Sequence, residues 1–403
     1  MISCSSFKQR LSEKGIVIKK LGSGSTGITF SVCDKKPYCE KKERKSIKIS
    51  RISRHSKKKT QPEIDFEINR ELMKLLVYTP HINSVYSQVK CGFYPSLMDN
   101  QNDEIYFKYL EWSTKAKLRK GYPITVTTME LGDYDFFDHV SFVTNLKELK
   151  ELMFQFVYTL AVVQFYLKGF KHGDLKEDNL LVYNRKNEVP GTIKYNILDK
   201  TYEINNTTPH VKLIDFDFSA TDKILNCRQP SLTEKETKAE YKRLKCNHYS
   251  VKDSRYIGLT SNYKPHYDLF FFLNRLTTVH YTPDKNPEFN QFLSQLLPRE
   301  YQVENLQEAG ENIIIDSRLA TNNTRILRGI RSPVELLMSN VFDDLLVEIS
   351  EVKLKPHSLK RKTGKKSKSR KQPTRAQFSS TQQHYDSRIT LEMAKKRRDL
   401  FVV

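Results

Sequence analysis

The sequence lacks the features of membrane and secreted proteins. No uninterrupted apolar run approaches the roughly 20 residues that cross a bilayer, and the first residues contain no apolar core of signal-peptide length. The six cysteines (4, 33, 39, 91, 227 and 246) form no CxxC pair and no spacing typical of metal ligands. We therefore expect an intracellular protein with reduced thiols and no membrane partner.

Acidic residues are also scarce relative to basic ones. The 403 residues include 68 Lys or Arg and 47 Asp or Glu, for a net charge of +21. The excess is uneven, since residues 351–403 hold 16 Lys or Arg and 4 Asp or Glu. This segment predicts a disordered basic tail. Such a tail can bind nucleic acid or another acidic partner, direct nuclear import, or only solubilise the chain.

One polar segment combines three groups that phosphoryl transfer requires. It precedes a strand-like run, 180–183, and reads His172-Gly173-Asp174-Leu175-Lys176-Glu177-Asp178-Asn179. The carboxylate can orient a hydroxyl, the ammonium can neutralise a migrating phosphoryl group, and the amide oxygen can hold a metal ion. The octet alone predicts phosphoryl transfer and leaves the acceptor open.

A glycine-rich segment lies between two predicted strands near the N-terminus. It reads Leu21-Gly22-Ser23-Gly24-Ser25-Thr26-Gly27-Ile28-Thr29. Without side chains at the glycines, backbone amides can close on phosphate oxygens. A plain Gly-Ser turn is the alternative for the segment by itself. A strand follows it and not a helix, which argues against a dinucleotide site.

A single lysine lies in the next predicted strand, residues 46–50. A lone Lys in a strand is usually solvated, but Lys48 follows Gly27 at a spacing from which it can reach phosphates. A carboxylate on the predicted helix 62–77 would hold it in place. Glu67 and Glu71 share one face of that helix, and we choose Glu67.

Another carboxylate follows the predicted buried strand 211–214. Asp215 is costly to bury at the end of a strand unless it meets a cation, which makes it a natural Mg²⁺ ligand. Asp217, two residues later, is expected to point away from the site.

The order of these parts resembles the protein kinase superfamily, and Lys176 resembles its serine/threonine branch. The resemblance covers about residues 15–350 and implies ATP and Mg²⁺ as cofactors, with Ser or Thr of a protein as the substrate. It implies that Asp174 is the catalytic base, that Lys176 contacts the γ-phosphate, and that Lys48 pairs with Glu67. It further implies phosphate contacts along 21–29, metal ligands at Asn179 and Asp215, and an adenine-binding hinge at Met129, Glu130 and Gly132.

The implied fold is α+β and bilobal. A β-rich N-lobe is expected at about 15–130 and a mainly helical C-lobe at about 131–350, before the tail 351–403. Within this frame we predict strands over 103–130, a long apolar helix over 146–168, a polar hairpin over 184–210, and a buried helix beginning at Asp268.

The chain departs from the usual kinase pattern in ways that resemble kinases of large DNA viruses, including poxviruses and iridoviruses. This resemblance implies the host cytoplasm or nucleus, or the virion, as the location. Gly173 replaces the Arg before the catalytic Asp, which predicts no activation by a phosphate on the activation loop. Asp217 replaces the Gly of Asp-Phe-Gly, and no Ala-Pro-Glu precedes the anchoring helix.

Two other functions remain open. His-Gly-Asp followed by Ile-Asp-Phe-Asp also resembles small-molecule phosphotransferases of the aminoglycoside and choline kinase type, although the complete glycine loop and Lys176 argue against that reading. A catalytically inactive kinase scaffold with a nucleic-acid-binding tail is the second alternative.

Overall fold

The computed structural model describes residues 16–23, 27–33, 44–52, 60–95, 98, 103–185, 189–221, 223–224, 226, 268–270, 272–273, 276, 287–297 and 331–349. The predicted tail 351–403 and most of segment 221–265 lie outside these residues. The described part is a mixed α/β fold with two hydrophobic clusters, one on a large sheet and one around a long helix.

The large sheet contains five antiparallel strands in the order β1-β2-β3-β5-β4. The strands are β1 (Ile16–Ser23), β2 (Gly27–Cys33), β3 (Arg44–Arg51), β4 (Val85–Gly92) and β5 (Pro123–Glu130). Side chains such as Ile28, Phe30 and Ile49 are fully buried in its hydrophobic cluster. The two predicted strands on either side of the glycine-rich turn are therefore confirmed as β1 and β2, and the turn itself, residues 24–26, lies outside the described residues.

The prediction of strands throughout 103–130 is wrong in its first half. Residues 103–115 form helix α2 (Asp103–Lys115), and only β5 is a strand. Ile105, Tyr109 and Trp112 are spaced four and three residues apart, so they share one helix face and are buried on the sheet cluster. The aromatic content of this segment favours a strand locally, and packing of that face on the sheet overrides it.

The predicted helix before β4 is confirmed as α1 (Gln61–Met73). Thr60 caps its N-terminus in a capping box, in which the Thr60 amide donates to Glu63 Oε2 at 2.7 Å. Ile64, Ile68 and Leu72 recur every four residues and are buried. Through this face, α1 packs into the second hydrophobic cluster.

The second cluster surrounds the predicted long helix, which is confirmed as α4 (Leu146–Tyr166). Its buried residues extend around the whole helix circumference, as expected for a core helix. The shorter helices of this part are α3 (Phe136–Val140), α5 (Pro287–Leu296) and α6 (Pro333–Met338). Among the described residues, no helix combines the length and apolarity needed to cross a membrane.

Two small antiparallel sheets complete the described fold. One has the order β10-β7-β6, from β6 (Tyr134–Asp135), β7 (Leu180–Tyr183) and β10 (His210–Leu213). The other has the order β11-β9-β8, from β8 (Thr192–Ile197), β9 (Lys200–Asn205) and β11 (Leu346–Ile349). The predicted hairpin at 184–210 is therefore confirmed, and it is anchored by buried tyrosines at 195 and 202.

The cysteines differ from the sequence expectation. Cys33, at the end of β2, and Cys91, in β4, are both disulfide-bonded. Each disulfide forms only where another cysteine approaches with suitable geometry, which includes Cβ atoms about 3.5–4.5 Å apart. Spacing along the chain does not reveal such an approach, so the expectation of reduced thiols is wrong for these two residues.

Candidate active site

A cleft of about 520 Å³ lies between the glycine-rich strands and the loops at the ends of β7 and β10. Many residues predicted from the sequence line it, namely Leu21, Gly22, Ser23, Gly27, Thr29, Lys48, Met129, Gly132, Asn179 and Asp215. Ile28 instead belongs to the hydrophobic cluster of the sheet and is fully buried there. Gly24, Ser25 and Thr26 lie outside the described residues.

Lys48 is held in the cleft by three carboxylates. Its Nζ lies 2.7 Å from Asp215 Oδ1, 3.5 Å from Asp217 Oδ2 and 3.7 Å from Asp65 Oδ2. Burial opposes the charge of Lys48, but these carboxylates outweigh burial and raise its pKa well above the ordinary value. Lys48 is therefore a firmly charged cation inside the cleft.

The structure corrects the choice of Glu67 as the partner of Lys48. The carboxylate that α1 brings to Lys48 is Asp65, two residues earlier. Residues two apart on a helix point in nearly opposite directions, so Asp65 and Glu67 cannot both face β3. Asp65 is buried and Glu67 is half-buried.

Asp65 also connects α1 to the segment that follows β10. Its Oδ1 accepts hydrogen bonds from the backbone N–H of Phe216 at 2.9 Å and from Asn69 Nδ2 at 2.9 Å. Burial raises the pKa of Asp65 to about 7, reinforced by Asp217 and Asp215 and opposed by Lys48. The carboxyl of Asp65 therefore gains its charge only near neutral pH.

Asp217 is a second correction, because its side chain turns into the site. It is buried, and carboxylate oxygens of Asp65, Asp215 and Asp217 lie within 4.8 Å of one another. Asp215 has a left-handed backbone, with φ of 62°. Burial opposes its ionisation, but the charge of Lys48 outweighs burial and lowers the pKa of Asp215.

Strand pairing brings the two expected metal ligands together. Strands β7 and β10 are antiparallel, with Leu180 opposite Leu213. The residues flanking this pair are linked by a hydrogen bond from the Ile214 amide to the Asn179 carbonyl at 3.1 Å. Asn179 and Asp215 therefore reach the same end of the cleft, although 36 positions separate them in the sequence.

The predicted catalytic Asp174 lies in the same loop. Asn179 Nδ2 donates to the Asp174 backbone oxygen at 2.7 Å and to its Oδ2 at 3.3 Å. Lys176 Nζ lies 3.9 Å from Asp174 Oδ2 and 3.8 Å from Asp178 Oδ2. Burial raises the pKa of Asp174, while Lys176 and then His172 oppose the increase. The predicted carboxylate, cation and amide thus form one connected group.

Asp268 anchors this loop, a role that the sequence pattern did not identify. Its Oδ2 and Oδ1 accept from the backbone amides of His172 and Gly173 at 2.8 and 3.0 Å. His172 Nε2 in turn donates to the Ile214 carbonyl at 2.9 Å. Gly173 has a φ of 80°, a conformation that favours glycine. Its backbone thus gives a local reason for glycine where the usual kinase pattern has Arg.

The predicted hinge lies beside the cleft, and its residues make different kinds of contact. Met129 and Leu131 line the cleft. Glu130 directs its carboxylate to Lys212, with Oε1 at 2.8 Å from Nζ. A Cβ on Gly132 would lie 2.8 Å from Leu181 Cβ, so glycine permits the close approach of the hinge to β7. Leu131 and Leu181, both missed from sequence, add apolar surface to the cleft.

Comparison with known proteins gives two matches. Residues 122–244 match the profile of the family described as Poxvirus serine/threonine protein kinase. A protein of Acanthamoeba polyphaga mimivirus named "Putative serine/threonine-protein kinase" is 22% identical over 339 residues, which are 76% of this chain and 67% of the relative. These matches confirm the resemblance to a divergent viral branch of kinase-like proteins.

Proposed function

We propose that this protein is a serine/threonine protein kinase that uses ATP and Mg²⁺. The observation that carries the proposal is the meeting of two groups at one cleft below the glycine-rich strands. One is the ion pair of Lys48 with Asp215, at 2.7 Å, and the other is the hydrogen-bonded pair of Asp174 and Asn179. Phosphoryl transfer depends mainly on positioning and electrostatics, which both groups provide.

Asp174 is the residue that orients and deprotonates the acceptor hydroxyl. Its raised pKa increases the affinity of the carboxylate for a proton, which suits a general base. Lys176, 3.9 Å from Asp174 Oδ2, supplies positive charge where negative charge develops on the transferring group. Lys48 holds nucleotide phosphates, and Asp65 has the positioning role first assigned to Glu67.

The chemistry of the donor set fits a magnesium ion held by Asn179 and Asp215. Asn179 uses its amide nitrogen in hydrogen bonds to Asp174, which leaves its side-chain oxygen for a metal. Asp215 uses Oδ1 for Lys48, which leaves Oδ2. When bound, the ion supplies charge neutralisation of the phosphates. Asp215 serves both cations because its pKa is lowered and its carboxylate stays ionised.

The wider organisation follows from the same proposal. The large sheet and its cluster form the core of an N-lobe at about 15–130, and the cluster around α4 forms the core of a C-lobe at about 131–350. The adenine ring lies against the hinge, where Met129, Leu131 and Leu181 offer apolar surface.

The basic segment 351–403 binds nucleic acid or another acidic partner. Deletion of the segment tests this binding and should abolish salt-dependent retention of the protein on DNA.

A transfer assay with radiolabelled ATP and basic or acidic protein substrates tests the activity. We expect Mg²⁺-dependent labelling of Ser and Thr, reduced at least a hundredfold in Asp174→Ala. Asp103→Asn, which removes a similar charge from the exposed start of α2, is the matched control and should retain full activity.

Two outcomes contradict the proposal. Labelling of aminoglycosides or choline without labelling of protein would indicate a small-molecule phosphotransferase. Mg²⁺-dependent ATP binding without turnover on any acceptor would indicate an inactive scaffold.

A further inference from the structure

A second cavity, of about 450 Å³, lies between β1, the end of β3 and helix α2. Basic side chains from all three elements line it, namely Lys20, Arg51, Lys108 and Lys115. Glu111 is the acidic residue among the described lining residues, and Ser23 and Trp112 contribute to the same surface. The described lining of the cavity is therefore strongly positive.

Internal ion pairs neutralise only part of this charge. Lys115 Nζ pairs with Glu111 Oε1 at 2.7 Å, and Lys108 pairs with Glu104. Within the described part of the chain, no carboxylate lies at salt-bridge distance from Lys20 or Arg51. The charge of Lys20 still reaches Glu111, where it adds to the effect of Lys115 in lowering the pKa of that carboxyl. Two cations from different strands thus remain available to an external anion.

The packing of α2 explains why these cations converge. Ile105, Tyr109 and Trp112 attach the helix to the sheet, and this fixes the side on which Lys108 and Lys115, seven residues apart, must lie. Solvated lysines at a helix edge are common and need no ligand. Here the helix edge faces basic residues of two strands across a cavity, an arrangement that is electrostatically unfavourable without an anion.

Hydrogen-bond donors at the cavity suit an oxyanion. Ammonium and guanidinium groups donate to phosphate oxygens, and Arg does so in a bidentate manner. Trp112 lines the cavity and is buried, and within the described residues its Nε1 has no acceptor. The lining is therefore rich in donors.

We propose that this cavity binds a phosphate dianion, either free or as a phosphate monoester. Lys20 and Arg51 are its principal contacts, and Lys108 and Lys115 provide supporting charge. Ser23 lines this cavity and also the catalytic cleft, so the anion would lie next to the strand that covers the nucleotide. The binding itself does not depend on kinase activity.

Titration calorimetry with inorganic phosphate and with O-phosphoserine tests the site without any measurement of catalysis. Lys20→Ala combined with Arg51→Ala should weaken binding at least tenfold. Arg119→Ala combined with Lys120→Ala is the matched control, because it removes the same two residue types from an exposed turn outside the cavity. The control should bind as the wild type does.

Three further measurements complete the test. Lys20→Arg combined with Arg51→Lys should restore most of the affinity, which separates loss of charge from misfolding. Binding of O-phosphoserine should weaken below about pH 6, where the dianion becomes a monoanion. A saturating nucleotide should leave phosphate binding in place. In the calorimetry above, tighter binding of O-phosphoserine than of phosphate would identify a monoester as the ligand.

The proposal is overturned by any of three results. The first is phosphate binding by the Lys20 and Arg51 double variant that is as tight as binding by the Arg119 and Lys120 control. The second is displacement of all bound phosphate by saturating nucleotide, since that would place the anion in the catalytic cleft. An absence of measurable phosphate and O-phosphoserine binding to the wild type would also refute the site.

Discussion

Replacing Asp65 by Asn should change how stability depends on pH. Asn keeps an oxygen that can accept from the Phe216 amide, and it removes a buried carboxyl whose pKa is raised to about 7. In the unfolded chain an Asp titrates near pH 3.9. Between these two values the folded wild type retains a proton that the unfolded chain has lost. Wild-type stability should therefore fall as pH rises through this window.

The size of the effect follows from the linkage between proton binding and folding. Through the titration of Asp65, each pH unit inside the window lowers the free energy of unfolding of the wild type by about 1.4 kcal/mol. From pH 5 to pH 7 the Asn variant should therefore gain about 2 kcal/mol relative to the wild type, since the folded carboxyl is already half ionised at pH 7. Below about pH 3 the difference should be constant, because Asp65 is then protonated in both states.

Urea unfolding in metal-free buffer, at pH values from 4 to 8, measures this difference. Trp112 is the single tryptophan of the chain and is buried on the sheet cluster, so its fluorescence reports on unfolding there. Glu67→Gln is the matched control on the same helix and should leave the wild-type pH dependence in place. Parallel curves for wild type and Asp65→Asn would refute the reasoning, as would a changed slope in the Glu67 variant alone.

Three other substitutions probe the loop and the hinge. Asp268→Ala leaves two buried backbone amides without their acceptor, so it should lower the free energy of unfolding by about 2–4 kcal/mol, measured by urea unfolding. Gly173→Ala should cost about 1–2 kcal/mol in the same measurement because of its φ of 80°, and an unchanged stability would contradict that backbone assignment. Gly132→Ala should lower the free energy of unfolding by about 1–3 kcal/mol through overpacking against Leu181, which thermal melting measures as a lower melting temperature. Replacing Gly22, whose added Cβ meets nothing within 4 Å, is the comparison for Gly132 and should have little effect on melting.

Local sequence patterns were sufficient for several elements. The four-residue spacing of apolar positions predicts α1, and continuous apolarity predicts α4 as a core helix. The order of the glycine loop, Lys48, Asp174, Asn179 and Asp215 predicts a phosphoryl-transfer cleft. The two helix predictions succeed because each depends on residues close together in the chain, whereas the phosphoryl-transfer cleft stays a prediction.

Tertiary packing decided the rest. The period of α1 shows that Asp65 and Glu67 face different ways, but only the docking of the helix decides which one meets Lys48. The inward direction of the Asp217 side chain depends on the backbone after β10. Asp268 binds the amides of His172 and Gly173, from which it is separated by 96 and 95 positions in the sequence. Helix α2 was misread for the same reason, since its apolar face acquires meaning only against the sheet.

The sequence by itself determined the chemical groups of this protein and their order, and so its likeness to kinases. The tertiary structure decided which carboxylates surround Lys48 and where the four cations at α2 converge. The physical reason is that side-chain chemistry and local periodicity are properties of the chain. Electrostatic partners are set by distances of a few ångströms between segments that only the folded packing brings together.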